Sequence, residues 1–143
     1  MRGFKIIKDY GKIPKRGTPR SAGYDLRSPK DVVVYPHHKE TVPTGVAAWM
    51  GDDEVLLIFP RSSMGIKKSI VLGNSTGVID SDYYGNESNG GEILVCLYNY
   101  GDFPITINAG DKIAQAVFLK YLVADNDTVD KDSRTGGIGS TGA

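Results

Sequence analysis

Cysteine is almost missing from this sequence: Cys96 is the only one in 143 residues, so no intramolecular disulfide can form. A chain without such staples suits a reducing compartment, and the cytoplasm is the expected location. An excess of either charge is missing too. Seventeen basic residues balance seventeen acidic ones, which argues against a nucleic-acid wrapper or a basic membrane-surface protein. Any positive charge that matters must be local. No apolar run approaches the length that spans a bilayer, and Met1-Arg2-Gly3-Phe4-Lys5 lacks the apolar core of a signal peptide. The expectation is no membrane and no nucleic acid. Helical periodicity is also scarce: no segment keeps it over three turns, and residues 61–68 allow at most one short helix.

What is present is glycine, about one residue in eight against an average near 7%, and short apolar runs. These are Val32–Tyr35, Gly45–Met50, Val55–Phe59, Ser69–Leu72, Ile93–Tyr98, Phe103–Ile107 and Lys112–Val123, parted by Gly, Pro, Asn and Asp. Many short strands joined by turns predict an all-β fold, a barrel or sandwich. The length suits one domain. Cys96, inside Ile93–Tyr98, reads as a small buried side chain. His37 and His38 would point oppositely in a strand and could not share a metal. Asp52-Asp53-Glu54 reads as a solvated turn. Lys67 and Lys68 read as surface charges, with Lys67 adding positive potential near Arg61.

Five segments carry polar residues that strands and turns alone do not require. Ala22-Gly23-Tyr24-Asp25-Leu26 places an acid beside an aromatic, as many turns into strands do. Pro60-Arg61-Ser62-Ser63-Met64-Gly65 follows an apolar strand. Its guanidinium and hydroxyls suit an anion, and its serines equally suit a helix N-cap. In Gly73–Gly85, Asp80 and Asp82 would share one side of an extended strand. They serve as a general base, a metal site or merely the approach to a hairpin turn. Gln115 interrupts the apolar strand within Gly110–Phe118, so its amide needs a structural partner or a ligand. Finally Arg134–Gly142 is polar and glycine-rich. It reads as a frayed end, or as a lid whose backbone N–H groups and Arg134 meet phosphate oxygens.

In this order the five segments resemble the five motifs of the homotrimeric dUTPase family, across residues 22 to 142. The sharpest match is Gly77-Val78-Ile79-Asp80-Ser81-Asp82-Tyr83. The resemblance implies a distorted jelly roll over residues 1–124, with a flexible lid over 125–143. It implies three chains sharing three active sites: the second and fourth motifs come from one chain, the third from another and the tail from the last. It implies hydrolysis of dUTP to dUMP and pyrophosphate, with Asp80 activating a water against the α-phosphorus. Arg61, Ser62, Ser63, Gly65 and Gln115 would hold phosphates, joined by Arg134, Gly139, Ser140 and Thr141 of the tail. Asn74 and the hairpin residues Gly77, Val78 and Ile79 would read uracil. Tyr83 would lie against the deoxyribose and Ile138 would cover the base. Mg2+ would be carried by the triphosphate and waters with no direct protein ligand, Asp25 accepting from one of those waters.

The chain departs from the family pattern in four places. Ile138 stands where a phenylalanine is usual, and one residue fewer lies between Arg134 and the Gly-Gly pair. Tyr84 and Asn86-Glu87 replace a frequent charged pair, and the loop Gly85–Gly91 is longer than usual. Two rival readings go with the resemblance. A dCTP deaminase would need a general-base glutamate near the base. A dUTP-responsive regulator would present a surface to a nucleotide-dependent protein partner, the long loop being one contact site.

Overall fold

The computed structural model describes residues 1–134 and 136–141. Thr135, Gly142 and Ala143, the first two of them in the tail motif, lie outside the described residues. Among these described residues, twelve short strands and one helix follow in chain order. They are β1 (Gly3–Ile6), β2 (Lys15–Arg16), β3 (Tyr24–Arg27), β4 (Val32–Val34), β5 (Lys39–Pro43), β6 (Val46–Trp49) and β7 (Glu54–Phe59). Then come α1 (Ser62–Lys68), β8 (Ile70–Leu72), β9 (Gly77–Asp80), β10 (Leu94–Asn99), β11 (Ile105–Ile107) and β12 (Lys112–Lys120). A single 3₁₀ turn, Ser81–Tyr83, follows β9 directly.

The strands form a five-stranded sheet ordered β2-β3-β12-β7-β9, a three-stranded sheet β5-β10-β8, and the pairs β1-β6 and β11-β4. Every pairing is antiparallel. The all-β jelly-roll expectation holds, but the sheets do not close into one continuous barrel. Alternation drives the packing. In β7 the side chains of Leu56 and Ile58 are buried, while those of Val55, Leu57 and Phe59 lie on the half-exposed face. Val95 and Leu97 of β10 meet Leu26, Val34, Val42, Ile70, Ile107 and Ile113 in a single core. Burying a side chain of this size is worth about 1.5–3 kcal/mol.

Polar groups inside this core are satisfied. Fully buried Asn99 donates through Nδ2 to the carbonyls of Val34 (2.9 Å) and Phe103 (2.8 Å), and its Oδ1 accepts from the Gly101 N–H. It ties β4, β10 and the following turn together. Glu54 is not the solvated acid expected of Asp52-Asp53-Glu54. It opens β7 with 4% of its surface exposed, pairs with Arg2, and accepts from the Gly51 N–H at 2.9 Å. Nor are the histidines in a strand: His37 lies in a turn with φ 61°, between β4 and β5.

The one helix falls where residues 61–68 allow it. Its N-cap is Arg61, in extended conformation, and no side chain caps it. The N-cap role left open for the serines is therefore not the one they play. Ser62 and Ser63 sit in the first turn, both exposed.

Candidate active site

Two cavities gather the chemistry-bearing residues, and neither shares a residue with the other. The first, about 340 Å³, sits at the β9 edge of the large sheet. Asn74, Gly77, Val78, Ile79, Asp80 and Tyr83 line it, over a floor that includes Leu72, Leu94 and Cys96. Gly77 is there because nothing larger fits. A Cβ at this position would stand 2.9 Å from Cβ of Ile58, its partner across the ladder. Cys96, expected to be buried, is only partly so, and its side chain forms part of this floor.

The tail closes the first cavity from outside, over the third motif of its own chain, where the resemblance implies the tail of one chain over the third motif of another. Arg134, Ile138, Gly139 and Thr141 all line it. The guanidinium of Arg134 bridges the two acids of the third motif, reaching Asp80 Oδ2 at 2.5 Å and Asp82 Oδ1 at 2.9 Å. Asp82 is in the 3₁₀ turn rather than in the strand, so strand alternation is not what brings the two carboxylates together. Arg134 also donates to the Gly137 carbonyl and to Ser140 Oγ, and its Cζ lies 5.6 Å from the centre of the Tyr83 ring. Ser140 thus reaches the site through Arg134, without lining the cavity. Ile138 is 78% exposed.

The second cavity, about 550 Å³, lies where β3, β12 and the end of β7 meet α1. Asp25, Arg61, Ser62, Lys112 and Gln115 line it. Asp25 holds two cations, Arg61 Nε at 3.2 Å from Oδ1 and Lys112 Nζ at 3.0 Å from Oδ2. Gln115 donates through Nε2 to the Pro60 carbonyl at 3.2 Å. The partner demanded by its position is therefore a backbone group beside Arg61. Ser63 lies in an adjoining cavity of about 300 Å³ with Arg61, Lys112 and Lys68. Here the lysines exchange roles: Lys68, not Lys67, faces Arg61's surroundings. Gly65 lines none of these cavities, and its carbonyl accepts from the Tyr100 hydroxyl.

The separation of the two groups is set by register. Asp80 pairs with Val55 on β7, whereas Gln115 pairs with Phe59. That is four residues along the strand and two strands across, or about 16 Å. A base must stand within hydrogen-bond reach of the water it activates. Asp80 is therefore too far from Gln115 and its neighbours to act on a phosphate they alone hold.

A family model described as dUTPase matches residues 9–142. The chain belongs to the dUTPase family. It is 44% identical to the deoxyuridine 5'-triphosphate nucleotidohydrolase of Lactococcus lactis, over all of this chain and 99% of that one. It is 41% identical to the enzyme of that name from Shewanella halifaxensis, over 91% of this chain and 86% of the other. Among solved structures it resembles the dUTPase from Streptococcus mutans. The TM-score is 0.81 and the identity 43%, over 86% of this chain and 98% of that one. The dUTPase from phage phi11 of S. aureus shares the fold, with a TM-score of 0.76 at 24% identity over 92% and 97% of the two chains.

Lys112 was not singled out by sequence reasoning, though it sits in the fourth motif. A lysine opening a strand looks like any surface charge until pairing with β3 brings it to Asp25. Glu92 was also passed over. It is 7% exposed and accepts from the Tyr10 hydroxyl (2.6 Å) and the Gly45 N–H (2.9 Å). The carboxylate pushes the Tyr10 hydroxyl up to about 12. Its role is to fix the strand that carries the cavity floor.

Proposed function

We infer that the chain hydrolyses dUTP to dUMP and pyrophosphate, limiting uracil in DNA and supplying dUMP for dTMP synthesis. The observation that carries this reading is Asp80 at the rim of a nucleoside-sized cavity, bridged to the one arginine of the tail. Asp80 orients a water and takes its proton as the water's oxygen bonds to the α-phosphorus. The bond from that phosphorus to its bridging oxygen breaks, and pyrophosphate leaves. An aspartate is ionised at neutral pH and ready for this task. Arg134 must move from the two aspartates onto the phosphates for the carboxylate to reach its water. Charge and positioning do most of the work in such displacements.

Arg61, Ser62, Ser63 and Gln115 hold the phosphates, joined by Arg134, Gly139, Ser140 and Thr141. Gly65 acts through the helix turn it occupies. Asn74 and the backbone of Gly77, Val78 and Ile79 read the uracil edge. A base of the wrong polarity would leave a buried group unpaired, a difference worth about 10⁴-fold or more. Tyr83 closes the sugar site against a 2′-hydroxyl. Ile138 covers the base by apolar contact. No glutamate lines the first cavity among the described residues, which speaks against a deaminase.

Mg2+ supplies charge neutralisation to the triphosphate when bound. Asp25, with each oxygen already facing a cation, suits an ion that arrives with the phosphates and keeps its waters. The split between the two cavities supports a homotrimer in which one chain's phosphate side meets another's nucleoside side. Residues 1–124 form the jelly-roll body and 125–143 the lid, in a cytoplasmic protein.

The test is hydrolysis of dUTP, dCTP, dTTP and UTP with magnesium, with pyrophosphate, phosphate and base identity resolved. Pyrophosphate and dUMP from dUTP alone are expected. Release of dUTP from dCTP would overturn the reading in favour of deamination.

A further inference from the structure

The loop between the 3₁₀ turn and β10 is built more tightly than a spacer needs to be. Asn86, 8% exposed, sends Nδ2 to the Tyr83 carbonyl (2.8 Å) and to Asn89 Oδ1 (2.7 Å). Its Oδ1 accepts from the N–H groups of Ser88 and Asn89 and from Ser88 Oγ. Asn89 Oδ1 also takes the Gly91 N–H, and Asn89 Nδ2 donates to the Tyr83 hydroxyl at 2.8 Å. That hydroxyl in turn donates to the Glu92 carbonyl at 2.7 Å. The Tyr83 ring, 6% exposed, is therefore held at both ends of its polar tip by this loop and the strand after it.

The same loop touches the tail. Gly137 is buried, and a Cβ there would meet Ser88 Oγ at 2.7 Å, with Asn86 Oδ1 and Asn89 Nδ2 next at 3.6 Å. The tail needs such a support. An apolar residue left 78% exposed, as Ile138 is, removes little surface from water and anchors little. Among the described residues, the contacts that hold the tail include the Arg134 bridge and the seat of Gly137 on Asn86–Asn89.

We propose that this loop is the dock of the lid and that Asn89 is a positioning residue acting through Tyr83, so that one network seats Gly137 and fixes the sugar-side wall. The proposal rests on the dUTP-hydrolysing reading for its rate effects but not for the docking contact itself. Gly137→Ala pushes a methyl into Ser88 Oγ, and Ser88→Ala removes that atom while leaving Asn86 Oδ1 both of its N–H donors. The intact protein carrying Gly137→Ala should lose about tenfold in kcat/KM for dUTP. The Ser88→Ala/Gly137→Ala double variant should recover most of that loss, because the coupled pair shares one contact. Trypsin cleavage after Lys131 and Arg134 should quicken in the single Gly137 variant and slow again in the double. Asn89→Ala should raise UTP turnover relative to dUTP about tenfold, with the thermal midpoint little changed.

A double variant as slow and as readily cleaved as Gly137→Ala alone would overturn the dock. An unchanged dUTP/UTP ratio in Asn89→Ala would overturn the positioning role. Absence of dUTP turnover in the unsubstituted protein would instead count against the hydrolase reading, and the cleavage pattern would still decide whether the loop seats the tail.

Discussion

Asp80 and Glu54 lie at opposite ends of what a carboxylate can do in this molecule. Asp80 is half-exposed at a cavity rim, beside a guanidinium that belongs to a tail able to leave. Asp80→Asn keeps the shape of the rim but trades one acceptor oxygen for an amide donor, and it cannot take a proton from water. Turnover should fall by several orders of magnitude while binding of a nonhydrolysable dUTP analogue survives, as calorimetry and steady-state rates would show. Glu54 is buried and fixed. The hydrogen bond from Arg2, with the Gly51 N–H behind it, holds its carboxyl below the ordinary 4.5. A depressed folded-state value means a contribution to stability that is complete above that figure and lost as pH falls through the lowered one. The thermal midpoint of the unsubstituted protein should therefore drop more steeply below about pH 4.5 than that of Glu54→Gln. Parallel curves would show that the pair adds nothing. Residues of the first kind were legible in the sequence because their type and spacing follow the chemistry. Glu54, Glu92, Lys112 and Asn89 were not, because their partners lie elsewhere in the chain and only strand register brings them together.

Among elements, the long apolar strands were legible and the short polar ones were not. β7, β10 and β12 carry runs that the structure keeps as strands: it adds Glu54 to the first, shifts the second by one residue to Leu94–Asn99 and trims the third to Lys112–Lys120. β2 is Lys15–Arg16, wholly exposed, and β5 buries only Val42 fully. Such strands are held by backbone pairing to a neighbour, a property that composition does not record. The tail was ambiguous for a related reason: polar, glycine-rich chain is the same whether it frays or docks. What separates the alternatives is Arg134, whose side chain is 7% exposed inside a segment with almost no apolar surface to bury. Deletion after Asp132 should leave the jelly-roll body and its assembly intact by light scattering, and should lower dUTP turnover by about a hundredfold or more, as loss of oriented phosphate contacts does. A truncated chain as fast as the full one would leave the tail without a part in the chemistry.

At the scale of the whole molecule, the two cavities pose a problem that one chain does not solve. Arg61 and Gln115 stand at one end of the β7–β12 ladder and Asp80 toward the other, on the far edge strand. In the proposed homotrimer, with cyclic symmetry, each chain would offer the cavity of Arg61 and Gln115 to one neighbour and that of Asp80 to the other. Two individually dead chains then complement each other. Arg61→Ala destroys one half-site and Asp80→Asn the other, yet a mixed trimer contains sites that pair the intact Asp80 of one chain with the intact Arg61 of its neighbour. Unfolded together and refolded in equal amounts, the two variants should recover about a quarter of the unsubstituted activity, the share of such junctions in random trimers. Refolded separately and then mixed without exchange, they should stay inactive. If both halves of the site came from the same chain, every chain in the mixture would carry one lesion or the other, and co-refolding would restore nothing.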